Sequence, residues 1–153
     1  MNQAQWQSVL IAVGVFIFVP LHCARAKTLS LETITGSIFE VPDFRQDPDV
    51  TPALLARGAY YLGYAPYHRF GQNQRYRILY HEAQGTQGFS IWISRPLQKN
   101  RLDAEKYLMN KLKLSKGQMC FLRYSVMTDI SSSRAYAVKD LKFSFCPGAV
   151  RIK

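Results

Sequence analysis

Acidic residues are scarce in this 153-residue chain: 10 Asp and Glu stand against 20 Lys and Arg, a formal net charge of +10. Histidine and cysteine number only three each. These shortages narrow the chemistry. A glycosidase needs two carboxylates facing each other across a bond. Glu82, Asp103 and Glu105 are the only acids in the most basic stretch, and the last two sit two residues apart on one helix, pointing away from each other. No CxxC or His-rich spacing supplies a closed zinc site. No GxSxG, HExxH, P-loop or dinucleotide fingerprint occurs, so no metal, nucleotide or other cofactor is expected. The chain also lacks a repeat, a low-complexity tract and a linker inside residues 27–153, which reads as a single domain. A hydrophobic content of 48% excludes a disordered basic tail.

What is present begins with an apolar run, Val9 to Val19, followed by Pro20. It is too short to cross a hydrocarbon core of about 30 Å as a helix. Ala24 and Ala26 place small residues at the minus-three and minus-one positions of a cleavage site, so residues 1–26 read as a signal peptide with Lys27 opening the exported chain. Met1 to Ser8 carries no Lys or Arg, which departs from the usual pattern and leaves anchoring by residues 9–21 as the alternative. Cys23 has His22 before it, not the small residue that lipid attachment needs. Beyond the signal peptide only Cys120 and Cys146 remain, an even count that reads as one structural disulfide in an oxidising compartment. The expected location is periplasmic or extracellular.

Hydrophobic periodicity points to an α+β fold, with a mostly antiparallel sheet of about four to six strands and one main helix, about 102–114, on one face. One or two strands are expected over Lys27–Val41, with a turn or bulge at Gly36. A hairpin spans 75–94 across a glycine-bearing turn, and further strands are read at Phe121–Met127 and Leu141–Phe145. Asn100 is a candidate N-cap of the main helix, with Asp103 and Glu105 in its first turn and Lys106, Lys111 and Lys113 facing water. Ser115 and Gln118 have the spacing of a capping box. Thr51 followed by Pro52 suggests a second helix, about 52–62, ended by Gly63 and weakened by Gly58.

Candidate contact residues come from the basic stretch between Arg69 and Arg123 and from the aromatic segment before it. Arg69, Arg75, Arg77, Arg95 and Arg101 supply guanidinium groups, and Tyr67 and Tyr76 supply rings beside them. The same tyrosines suit half-buried core positions, and the lysines suit a solvated helix face. His68 and His81 are weak candidates for an acid and base pair, as in metal-free RNA cleavage. The chain therefore reads as a small exported basic binding or accessory protein of the cell envelope or medium. Its partner would be an anionic polymer, an anionic membrane surface or an acidic protein. Two alternatives stand beside this reading: a small secreted hydrolase of nucleic acid or glycan using His68 and His81, and a structural subunit of an envelope assembly.

Overall fold

The computed structural model describes residues 27–152 apart from 55, 64–74, 84 and 138. Residues 1–26, read above as a signal peptide, and Tyr67, His68 and Arg69 lie outside the described residues. The architecture is α+β, with a two-stranded and a five-stranded sheet and one main helix. Strands β1 (Thr28–Glu32) and β2 (Ile38–Pro42) form an antiparallel hairpin whose turn holds Gly36 at φ +80°, a conformation glycine adopts without strain. A 3-10 turn, Phe44–Gln46, is capped by the Asp43 side chain and leads to the larger sheet. That sheet runs in the order β3 (Val50–Pro52), β4 (Ala59–Leu62), β5 (Tyr76–Ala83), β6 (Thr86–Ile93), β7 (Tyr124–Met127). Neighbours are antiparallel except β6 and β7, which are parallel and joined through α1 (Leu97–Leu112) and the short α2 (Lys116–Met119).

Period-two alternation decides which side of the sheet is buried. Leu62, Ile78, Ile93, Tyr80, Phe89, Ile91 and Val126 point to one face and are buried there. Against that face pack Leu97, Ala104, Leu108 and Leu112 of α1, at helical spacing, and Leu29, Leu31 and Val41 of the β1–β2 hairpin. Phe44 plugs the same core edge-on to Tyr80, with ring centroids 5.2 Å apart. The opposite face carries Tyr61, Arg77, Leu79, His81, Ser90, Trp92 and Met127, all of intermediate exposure.

Several expectations need correction. The proposed helix over 52–62 is the β3–β4 hairpin. Gly58 makes its turn at φ +73°, where an added Cβ would fall 2.3 Å from the Glu82 carbonyl oxygen. Tyr60 and Tyr61 then follow their strand preference. The main helix starts five residues earlier than the polar turn suggested, at Leu97 rather than 102, and ends at Leu112. Pro96 is its N-cap, and Asn100 is buried inside the first turn, where its side-chain amide donates to the Ser94 carbonyl at 2.8 Å. Asp103 and Glu105 consequently lie beyond the first turn. The stretch Leu141–Phe145, expected as a strand, is irregular over 141–143 and turns at 144–145. Lys142 takes φ 54°, which a strand cannot accommodate, yet Leu141 and Phe143 remain buried. Ser115 and Gln118 do form a capping box at α2.

Cys120 and Cys146 are joined as a disulfide, with their Cα atoms 5.5 Å apart. The bond ties the end of α2 to the C-terminal turns. Those turns also stack Phe143 on Tyr124, centroids 4.0 Å apart, and Leu141 donates its N–H to the Val126 carbonyl at the edge of β7.

Candidate anion-binding surface

Three ion-pair networks sort the charged residues into those that hold the fold and those left for contact. The first lies inside the molecule. The Arg101 guanidinium donates to the carbonyls of Val150 (2.7 Å) and Leu141 (2.8 Å) and pairs with Glu105, one turn along α1, at 3.3 Å. Glu105 in turn accepts from the backbone N–H and the hydroxyl of Ser144. Arg101 is 4% exposed and Glu105 3%. Burial lowers the Arg101 pKa and Glu105 opposes the shift. Arg101 therefore fastens the C-terminal segment to α1 and is withdrawn from the set of surface contacts. Glu105 is a structural ion-pair partner rather than a helix-start residue.

The second network removes another expected surface cation. The Lys111 ammonium reaches Asp47 at 2.9 Å and Asp49 at 2.5 Å, and the Tyr107 hydroxyl donates to Asp49 at 2.6 Å. Burial raises the Asp49 carboxyl, but the bonds from Lys111 and Tyr107 outweigh it and leave its pKa below the ordinary 3.8. Burial and the same carboxylate push the Tyr107 phenol up. In the third network Arg45 bridges Asp43 and Glu82, and Glu82 accepts from the Tyr80 hydroxyl at 2.9 Å.

The remaining acids are engaged as well. Asp103 faces Arg75 at 3.9 Å and Glu32 faces Arg123 at 3.5 Å. Glu40 accepts from Ser30, Asp129 from Ser131 and the Ser132 N–H, and Asp140 from the N–H groups of Val126 and Lys142. All 10 carboxylate side chains thus have a partner within the described residues. The cations do not. Lys99 and Lys106 stand seven residues apart on α1 and Lys113 caps its C-terminal end; all three are exposed and have no ion pair among the described residues. A spacing of seven residues is close to two helical turns, roughly 10 Å of rise.

The hairpin brings the expected arginines partly together. The Ser94 N–H donates to the Arg75 carbonyl at 3.0 Å, so Arg75 and Arg95 leave the sheet at the same end, where α1 begins. Both are exposed. Beside α1, Arg75, Tyr76, Asp103, Lys106, Tyr107 and Asn110 line a groove of about 390 Å³, walled by the Tyr76 and Tyr107 rings at 6.2 Å. Arg95 borders a second cleft of about 620 Å³ with Pro96, Gln98 and Tyr136, its guanidinium anchored to the Ser132 carbonyl. Arg77 lies apart on the opposite face of the sheet, stacked 4.5 Å over the Trp92 ring. His81 shares that face, against Gly88, where an added Cβ would fall 3.1 Å from the imidazole.

Lys106 and Lys113 are legible in the sequence as solvated cations, whereas Lys99 falls before the helix expected at about 102–114. The groove is not legible there, because it requires β5 and α1 to meet. No protein family, curated protein or solved structure matches this chain.

Proposed function

We propose that this chain is a small exported basic binding protein of the cell envelope or medium that contacts an anionic or acid-faced partner. One observation carries the reading. Every carboxylate has a partner among the described residues, while the exposed Lys99 and Lys106 on α1 and Lys113 at its end have no ion pair there. Unpaired cations on one element create a field that attracts a polyanion or an acidic surface. Arg75 and Lys106 at the groove, with the Tyr76 and Tyr107 rings beside them, give that field a place to seat an anionic group against an apolar wall. Arg95 and Lys99 extend it along the start of α1.

Chromatography on a heparin matrix tests this proposal. A variant carrying Arg75→Ser, Lys99→Ser and Lys106→Ser is compared with a charge-matched control carrying Arg57→Ser, Arg134→Ser and Lys139→Ser. The first is expected to elute at clearly lower salt than the second. Coincident elution would mean that net charge alone governs retention, and the proposed surface would be withdrawn.

A further inference from the structure

The β1–β2 hairpin carries a second exposed feature, of a different kind. Thr33 bridges Leu122 in antiparallel register, and the Ile34 N–H donates to the Phe121 carbonyl at 2.8 Å. Residues 32–34 and 121–123 therefore run side by side. Thr33 (0% exposed) and Leu122 (2%) turn inward, which sends their neighbours outward. The outward pairs are Glu32 with Arg123 and Ile34 with Phe121, and Glu32 is also opposite Ile38 in β2. Ile34 is 60% exposed, Ile38 64% and Phe121 46%. Among the described residues six large apolar side chains are exposed, and three of them share this one small face. Apolar side chains scattered singly need no explanation, but a cluster does.

We propose that this face docks on an anionic lipid surface. The inference rests on the reading of the chain as a partner of anions and names which anion this face meets. Size argues against a second copy of the chain. A stable protein interface buries about 800 Å² on each side, and three side chains around a hairpin turn fall well short of that. A bilayer asks for less: a few apolar side chains reach past the headgroups, and long-range charge supplies the rest. The charge is present. The chain carries a net +10, and Phe121 follows α2, which opens on the exposed Lys116. The Phe121 N–H is held by the Gln118 carbonyl at 3.0 Å, and Lys116 at the start of the same capped turn has its ammonium 5.7 Å from the Phe145 ring. Lys113 precedes it at the end of α1. Arg123 flanks the apolar pair. Glu32 and Glu40 on the same face oppose the attraction. Each is already engaged, by Arg123 and Ser30.

The test is co-sedimentation of the wild-type chain and an Ile34→Ser/Phe121→Ser variant with vesicles of phosphatidylcholine, with and without phosphatidylglycerol. Wild type and variant carry the same N-terminus, so any contribution of the Val9–Val19 run cancels in their ratio. The wild type is expected to partition onto the phosphatidylglycerol vesicles, and the variant to lose about tenfold or more in partition coefficient. Thermal unfolding is expected to be nearly unchanged, because both side chains are exposed. Glu32→Gln is expected to strengthen binding. Equal partition of wild type and variant overturns the proposal. Retention on heparin without binding to vesicles overturns it too, yet leaves the reading of a basic contact surface standing. Failure on both matrices removes that reading as well.

Discussion

Glu105 shows how the meaning of a residue depends on what the fold places beside it. In the chain it is one of two acids near a helix start. In the fold it accepts both hydrogens of Ser144 and neutralises Arg101, whose remaining donors hold two carbonyls of the C-terminal segment. Removing one partner of a buried pair leaves an uncompensated charge. Glu105→Ala is therefore expected to destabilise the protein by about 3–5 kcal/mol, measured by urea unfolding. An Arg101→Met/Glu105→Leu double variant is expected to recover part of that loss at the ion pair. The two carbonyls that Arg101 satisfies would still lack donors, and that keeps recovery incomplete. A single Glu105→Ala variant as stable as the wild type would contradict the assigned role.

At the scale of elements, Lys111 and Tyr107 clamp α1 to the segment before β3 through Asp47 and Asp49. The clamp makes stability depend on pH at both ends. The Asp49 pKa is below its ordinary 3.8, so its contribution is present above that value and is lost as the pH falls through the lower folded pKa. Burial lowers the Lys111 ammonium, but the bonds to Asp49 and Asp47 outweigh it, and its pKa lies above the ordinary 10.5. That contribution is complete below 10.5 and is lost as the pH rises through the folded pKa. Lys111→Met is expected to cost about 1 kcal/mol near neutral pH, after allowing for the partial exposure of the carboxylates, and to flatten the alkaline fall in stability. A pH–stability curve superimposable on that of the wild type would exclude the clamp.

The same scale explains how much of the fold was legible. The 75–94 hairpin, the α2 capping box and the disulfide were readable because each rests on local pattern or on parity. The β3–β4 hairpin was not. Thr51 and Pro52 look like a helix start, and the deciding contact is Gly58 against the Glu82 carbonyl, 24 positions away in the chain. The C-terminal turns differ from their strand-like pattern for a related reason. Leu141, Phe143 and Phe145 alternate like a strand, but their partners Arg101, Tyr124 and Lys116 are all remote in sequence. The candidate surface divides along the same line. Arg75, Tyr76 and Arg95 were named from composition and come to one end of the sheet. Arg101 was named on the same basis and is buried. Charge density in a sequence does not distinguish a solvated cation from one that holds carbonyls.

Across the whole molecule, the fold engages every acid and leaves much of its basic charge exposed. With 20 Lys and Arg against 10 Asp and Glu, engaging the acids still leaves basic side chains exposed and without an ion pair among the described residues. The exposed apolar face at Ile34, Ile38 and Phe121 is built from the turn end of the β1–β2 hairpin and the segment after α2, so the molecule presents two kinds of contact on different elements. The most direct measurement for the central claim is the salt dependence of binding to a dye-labelled polyanion, for the wild type and the Arg75→Ser/Lys99→Ser/Lys106→Ser variant. The expected result is a linear fall of log affinity with log salt concentration for the wild type, and a clearly shallower slope for the variant because fewer counterions are released. Equal slopes for the two proteins would contradict the account.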